Sequence, residues 1–164
     1  MGAGPLSRSP VSLESRALGF LARREYSRAE LRARLAAHAP DPDALDAVLD
    51  QLAAKKLLSD QRFIESLVRR RAGRFGAARI QHELRTHQLP SEQLAPALEA
   101  LKASELERAR EVWQKRFGEA PASREDRLRQ MRFLAGRGFA AEVIRKVVGP
   151  VGGSSGVEHE PDDL

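Results

Sequence analysis

Residues 57–89 read LLSDQRFIESLVRRRAGRFGAARIQHELRTHQL and contain the densest run of arginines in the chain. Ser59 or Asp60 can cap a helix there, because either side chain can accept a hydrogen bond from a free backbone N–H. Apolar residues, among them Phe63 and Leu67, recur at helical spacing until the glycine-containing RAGRFG turn ends this helix. A second amphipathic helix follows and stops at the proline of the HQLP segment. The stretch therefore predicts two consecutive helices joined by a short turn.

The leucine pattern of this stretch occurs three times along the chain. The central copy and the copy after it, displaced by 50 residues, contain Leu84, Leu89, Leu94 and Leu98, and Leu134, Phe139, Ile144 and Val148. The copy before it is displaced by 49 residues, and only Pro40 breaks its register. Chance agreement among leucine-rich helices is the alternative, but the turn residues repeat together with the leucines. A period of 49 to 50 residues is typical of a helical repeat array.

The sequence thus predicts an all-α fold, an elongated and curved array of three tandem three-helix repeats with about nine helices. A unit of roughly 45 residues buries too little surface to be stable alone, so the units should stack. Ser27 with Glu30 and Ser104 with Glu107 are predicted capping boxes, and Leu18 is expected to face inward. The predicted organisation is a disordered leader at 1–12, repeats at 13–58, 59–102 and 103–149, and a flexible acidic tail at 150–164.

Composition excludes several classes of protein. No run approaches the roughly 20 apolar residues that a membrane-spanning helix needs, and the N-terminus lacks the apolar core of a secretion signal. The chain has no cysteine, so it has neither disulfides nor thiolate chemistry. We expect a cytoplasmic protein. Nothing resembles a coiled-coil seam, which favours a monomer.

The charge is distributed unevenly. The last four acidic residues lie after residue 149, so residues 1–149 carry 28 basic side chains against 19 acidic ones. Such a body attracts polyanions or an acidic protein groove. Only five of the basic residues are lysines. Arginine's planar fork favours recognition of phosphate or carboxylate, whereas a GC-rich genome would give the same bias without a function, and the sequence leaves both explanations open.

No pattern of catalytic residues is present. His82 and His87 are five residues apart, which is not the spacing that brings two metal ligands onto one helical face. The acidic pair Glu125 and Asp126 belongs to a capping turn. The chain has no glycine-rich phosphate loop, nucleophile elbow or Ser/His/Asp arrangement. We therefore expect no enzyme activity, no metal site and no cofactor.

Four segments carry a resemblance to a known family. They are YSRAEL at 26–31, LLSDQRF at 57–63, GAARIQHEL at 76–84 and FLAGRGF at 133–139. In this order and spacing they resemble the successive signatures of the bacterial RecX regulatory proteins, over residues 17–148. Two departures are small: Lys56 stands where that family often has glycine, and Ala72 stands where a lysine is common.

The resemblance implies a modulator that docks on the RecA recombinase filament on DNA and inhibits strand exchange, ATP hydrolysis and coprotease activity. A long basic surface on a stack of helices could span adjacent protomers of such a filament. The residues expected to contact RecA or DNA are Arg69, Arg70, Arg71, Arg74, Arg79 and Arg85 in the central repeat, with Arg23, Arg24, Arg28 and Arg32 in the first. The competing interpretation of each arginine is an ordinary solvated helix face.

Direct binding of nucleic acid is the alternative function. The same arginines would contact phosphates, and the binding would be weak, independent of sequence and strongly dependent on salt. Aromatic residues that stack bases are not evident, because Phe63, Phe75, Trp113 and Phe117 all occupy core-periodic positions. DNA affinity is therefore expected to be auxiliary.

Overall fold

The structure, a computed structural model, describes residues 10–152. Those residues form nine α-helices, one 3-10 turn at Ala36–His38 and no strand, which confirms the predicted fold class. The helices are α1 (Leu13–Leu21), α2 (Arg28–Leu35), α3 (Pro42–Ala54), α4 (Asp60–Arg71), α5 (Ala77–Arg85), α6 (Ser91–Ala103), α7 (Glu105–Arg116), α8 (Arg124–Gly136) and α9 (Ala141–Val148). Most of the predicted leader and tail lies outside the described residues.

Serine hydroxyls fix where several helices begin. Ser27 Oγ accepts a hydrogen bond from the N–H of Glu30 at 3.1 Å, and Ser59 Oγ accepts one from Arg62 at 3.2 Å. Each satisfies a backbone donor that the first helical turn leaves free. The carboxylate of Glu30 binds Arg24 instead of reaching back to Ser27, so only half of that predicted capping box forms.

The second predicted capping box, of Ser104 with Glu107, is wrong. Ser104 has a right-handed helical backbone conformation, and its hydroxyl donates to the carbonyl oxygen of Ala100 at 3.0 Å. It is the only residue between α6 and α7. The second repeat therefore passes into the third through a single residue.

Each group of three helices encloses its own apolar cluster. Leu35, Leu84 and Leu134 occupy matching positions in α2, α5 and α8, and all three are 0% exposed. The clusters contain, in chain order, Leu31, Leu49 and Leu52; Phe63, Ile80 and Leu101; and Ala109, Ile144 and Val148. The inward orientation expected for Leu18 is wrong, since that side chain is 39% exposed.

The third repeat has a buried glutamine where the first two have aliphatic residues. Gln130 matches Leu31 and Ile80 and is 2% exposed. Its Oε1 accepts from the indole N–H of Trp113 at 2.8 Å, and its Nε2 donates to the carboxylate of Asp126 at 3.3 Å. Because both ends of the amide are bonded, burial leaves no orphaned polar group. The glutamine fixes the start of α8 against α7.

A carboxylate contact of the same kind joins each repeat to the next. The N–H of Arg28, the first residue of α2, donates to Asp60 at 2.7 Å. The N–H of Ala77, the first residue of α5, donates to Glu105 at 3.1 Å. Asp60 and Glu105 are themselves the first residues of α4 and α7. Both joints therefore place a negative charge at a neighbouring helix N-terminus, where free amides and the helix dipole favour it.

The second and third repeats also meet through a backbone crossing. The N–H of Gly76 donates to the carbonyl oxygen of Arg137 at 2.8 Å. A Cβ atom on Gly76 would lie 2.2 Å from the carbonyl oxygen of Gly138, and a Cβ on Gly138 would lie 2.6 Å from Cβ of Arg79. Gly138 in addition has φ +83°. Both positions require glycine.

We expect Leu84→Ala and Leu134→Ala each to lower the free energy of unfolding by about 2 to 5 kcal/mol, because each removes a fully buried side chain from one cluster. Denaturant unfolding followed by circular dichroism measures this. Leu128→Ala, at a position 40% exposed, is the control and should cost less than about 1 kcal/mol. Equal costs at all three positions would contradict the repeat register.

Gly76→Ala should destabilise the protein by about 1 to 3 kcal/mol, because the new methyl group collides with backbone that cannot move aside as a side chain would. Gly73→Ala is the matched control three residues earlier. A Cβ there meets nothing within 4 Å, so that change should cost nothing or stabilise slightly. Similar melting temperatures for the two variants would show that the crossing is looser than described.

Candidate functional site

Four of the ten arginines predicted for a binding surface form ion pairs within the chain. The pairs join Arg24 to Glu30, Arg28 to Asp50, Arg32 to Asp46 and Arg71 to Glu83, with N to O distances of 2.6 to 2.9 Å. Exposed pairs of this kind contribute little to stability. Their consequence here is electrostatic, since the charge of each of these arginines is already matched within the chain.

Ion pairing also shifts the pKa of the groups involved. Hydrogen bonds from Arg24 lower the pKa of the Glu30 carboxyl and raise the pKa of the Arg24 guanidinium. The hydrogen bond from Arg32 likewise lowers the pKa of Asp46. Both carboxylates therefore stay ionised to a lower pH than free glutamate and aspartate side chains do.

Four other predicted arginines form no ion pair within residues 10–152. Arg69 and Arg70 lie in the last turn of α4, Arg85 ends α5, and Arg23 follows the end of α1. All four are exposed. A cation at a helix C-terminus complements the helix dipole, so these positions have a local structural explanation as well as a charge that is free for a partner.

The remaining two predicted arginines flank an aromatic ring. The guanidinium carbons of Arg74 and Arg79 lie 5.6 and 4.2 Å from the centre of the Phe75 ring, and that of Arg137, from the third repeat, lies 5.6 Å from it. Arg79 also donates to the carbonyl oxygen of Gly136 at 3.3 Å. These are cation–π distances, so Phe75 is a shared platform between the second and third repeats.

The row of rings and arginines continues into the third repeat. Arg137 lies 5.0 Å from the ring centre of Phe133, which packs edge to face on Phe117 at 5.4 Å. The guanidinium carbon of Arg116 lies 5.5 Å from the ring centre of Phe117 and 5.8 Å from that of Phe133, and that of Arg129 lies 5.9 Å from Phe117. Stacking on a ring restricts a guanidinium while its N–H donors remain available to an anion.

Sequence reasoning missed this row because it assigned Phe75 and Phe117 to the core. Both are half-buried, and Phe75 also packs against the second apolar cluster. The available signal was the dipeptide Arg-Phe, which occurs at 62–63, 74–75, 116–117 and 132–133. That signal alone is not decisive, because Phe63 is fully buried.

Two depressions lie along this row, and together we call them the arginine–phenylalanine groove. They measure about 360 and 230 Å³ and share Arg116 and Phe133 in their walls. Glu119 and Asp126 also line the larger one, and Asp126 pairs with Arg129 at 2.6 Å. The cationic side chains that line the groove are Arg74, Lys115, Arg116, Arg129 and Arg137. Five cations face two carboxylates, so the groove favours an anion.

A part-buried arginine holds the turn that bears Phe75. Arg108 donates to the carbonyl oxygens of Ala72 at 3.0 Å, Phe75 at 2.6 Å and Leu101 at 2.8 Å. Burial lowers the pKa of Arg108, while the neighbouring Glu105 carboxylate acts in the opposite direction. Since its donors are occupied by backbone carbonyls, Arg108 positions the groove and does not itself offer a ligand contact.

Other kinds of site find no support in the part of the chain that the structure describes. That part contains no group of three histidine, cysteine or acidic side chains able to hold a metal ion. His87 packs edge to face on the ring of Phe63, with 4.7 Å between ring centres, which is a packing role. No helix among residues 10–152 has the length and apolar content needed to cross a bilayer.

Solved structures with the same fold exist. The chain superposes on the crystal structure of RecX from Lactobacillus salivarius with a TM-score of 0.70 and 18% identity, covering 83% of this chain and 92% of that one. A second crystal structure, of a regulatory protein RecX, gives a TM-score of 0.67 at 20% identity and covers 82% of this chain and 70% of that one.

Sequence relatives are closer. The chain is 51% identical over 142 residues to the regulatory protein RecX of Leptothrix cholodnii, covering 87% of this chain and 90% of that protein. It is 48% identical over 143 residues to the regulatory protein RecX of Ralstonia nicotianae, with coverage of 87% and 90%.

Family models match the chain in succession. The first, second and third three-helix domains of RecX match residues 15–52, 59–98 and 103–148. These matches cover most of the chain in the order of its three apolar clusters, and the chain belongs to the RecX family of regulatory proteins.

Proposed function

We propose that this chain regulates the RecA recombinase by binding the RecA filament on DNA and slowing its ATP hydrolysis, strand exchange and coprotease activity. The observation that carries the proposal is that all three RecX domains are matched in order, beside relatives at about half identity named as regulatory proteins. We propose that it acts in the cytoplasm as a monomer, through contacts alone and without a cofactor or a catalytic step.

The architecture supports binding to a repeating partner. Three similar helical units follow one another, with units at 13–58, 59–102 and 103–149 as our proposed boundaries. An array of this kind presents equivalent faces at intervals, so that it can contact successive protomers of a filament. The joints at Asp60 and Glu105 hold neighbouring units together, and a surface fixed before binding loses less conformational freedom on binding.

The ion-pairing pattern ranks the candidate contact residues. Arg23, Arg69, Arg70 and Arg85 carry charge that no described residue neutralises, so we expect them to contribute most to attraction of a filament. Arg74 and Arg79 add contacts at the edge of the arginine–phenylalanine groove. The four arginines already in ion pairs should contribute less, because a partner would have to compete with an internal carboxylate.

The test is the rate of DNA-dependent ATP hydrolysis by the cognate RecA on saturating single-stranded DNA, with this protein added below and then at equimolar ratio. Saturating DNA prevents simple competition for bare strand. We expect inhibition, and inhibition at low ratios would indicate capping of filament ends. An unchanged rate, together with salt-sensitive binding to naked DNA, would reject the proposal.

The double reversal Arg69→Glu with Arg70→Glu should weaken this inhibition by about tenfold or more in the concentration required, because it replaces attraction with repulsion at two free cations. The control, Arg132→Glu with Arg145→Glu, makes the same change in net charge at two exposed positions of the third repeat that do not line the groove. Equal loss in both variants would show that total charge, not this surface, sets the inhibition.

A second function, direct binding of single-stranded nucleic acid, is favoured by the arginine–phenylalanine groove. A cationic depression bordered by aromatic side chains is the arrangement that tracks a flexible phosphate backbone. The two functions are compatible, since a filament on DNA offers both protein and phosphate.

For this second function we expect the logarithm of the binding constant for an oligodeoxythymidylate to fall linearly with the logarithm of salt concentration, by about 0.7 per phosphate neutralised. Lys115→Gln with Arg116→Gln should reduce that slope by about 1.4, because two phosphate contacts are lost. Arg132→Gln with Arg145→Gln should leave it unchanged. Fluorescence anisotropy over a salt series makes the measurement, and an unaltered slope in the first variant would exclude the groove as the DNA site.

A further inference from the structure

The described chain ends beside the arginine–phenylalanine groove. The N–H of Gly152 donates to the carbonyl oxygen of Pro121 at 2.9 Å. Ala120 and Ala122, on either side of Pro121, both line the larger depression of the groove. The described part of the chain therefore ends at the rim of this groove.

The residues that follow Gly152 are opposite in charge to the groove. Residues 153–164 read GSSGVEHEPDDL and contain four acidic side chains but neither lysine nor arginine. The groove carries five cationic side chains against two carboxylates, and one of those carboxylates, that of Asp126, is already paired with Arg129. Attraction between the two is the electrostatic expectation.

The distances allow the two to meet. Glu158 is six residues beyond Gly152, and an extended chain spans at most about 3.6 Å per residue, or about 20 Å in all. Helix α8 contributes Arg129 and Phe133 to the groove, and Arg137 follows its last residue. The helix has 13 residues and is about 20 Å long. The span from Gly152 to Glu158 is therefore comparable to the length of α8, and the later carboxylates of the segment lie further along the chain and reach further.

We propose that residues 153–164 dock in the arginine–phenylalanine groove and compete there with external polyanions. Each ion pair on an open surface is weak, but the covalent link gives the segment an effective concentration of about a millimolar. The docked segment excludes weakly charged competitors. A ligand with a longer run of phosphates or carboxylates displaces it. The docking involves this chain alone, whereas its effect on filament binding rests on the proposed function.

The docking is tested by paramagnetic NMR on the full chain. The chain has no cysteine, so Val157→Cys provides a single site for a spin label. We expect the amide signals of residues lining the groove, such as Arg116, Phe133 and Arg137, to broaden strongly. The control carries the same label with all four acidic residues of the segment changed to their amides, and its broadening should be several-fold weaker. Equal broadening with both segments overturns the proposal.

Added salt and an added competitor provide two further tests of the docking. Raising the ionic strength from 0.1 to 1 M shortens the screening length from about 10 to about 3 Å, so the excess broadening should disappear. Adding an oligodeoxythymidylate should remove it too. Broadening confined to Arg69, Arg70 and Arg85 instead would assign the segment to another surface and overturn the proposed site.

The competition is tested by oligodeoxythymidylate affinity. A chain ending at Gly152 should bind several-fold more tightly than the full chain at low salt, and the difference should vanish at high salt. In the variant with Lys115→Gln and Arg116→Gln, removal of the segment should give a much smaller gain, whereas in Arg145→Gln the full gain should remain. The same gain in all three backgrounds would show that the segment acts only through net charge, and docking in the groove would be refuted.

Discussion

The joint between the second and third repeats depends on one buried carboxylate. Glu105, 6% exposed, accepts hydrogen bonds on Oε1 from the N–H groups of Ala77 at 3.1 Å and Ala140 at 3.3 Å. These amides stand at the starts of α5 and α9, so two helix N-termini converge on one negative charge. Burying a charge is costly unless it is bonded, and here the two amides and the nearby Arg108 compensate for the lost water. The turn bearing Phe75 is fixed as a result, and with it the wall of the groove.

The two joints of the array differ in how firmly they can hold. At the first, Asp60 accepts from Arg28 and a half-exposed ion pair joins Arg62 to Glu25 at 2.9 Å. The second adds to its carboxylate a backbone contact at Gly76 that leaves no space for a side chain. Exposed ion pairs weaken with salt, whereas a close backbone contact does not. The second and third repeats are therefore joined by a contact that salt does not weaken, and the groove lies beside that contact.

Periodicity in the sequence predicted the features of the fold that depend on local chemistry. Leucine spacing identified Leu84 and Leu134 as core positions, because one-sided burial is a local property. Ser27 was predicted as one cap and Ser59 or Asp60 as another, because helix initiation is local too. Lys56, noted as standing in place of a frequent glycine, has φ +59°, the left-handed conformation that glycine adopts without strain. What depends on contacts between distant segments was not predictable. The glutamate at the start of α7, Glu105, is equally well explained by the local helix dipole. The sequence pattern therefore does not indicate that this side chain is bonded to another repeat.

The arginines of the chain fall into two groups according to the contacts they make. Arg71 binds Glu83 through two nitrogens, Arg108 binds three carbonyl oxygens, and Arg79 and Arg137 stack on Phe75. Each of these uses the planar, multiply donating shape of guanidinium, which lysine lacks. At the helix ends, as at Arg69 and Arg85, any cation would complement the dipole, so compositional bias is a sufficient explanation there. The arginines at the helix ends suit a partner that requires only positive charge. The groove suits a partner that requires hydrogen-bond donors held in fixed directions.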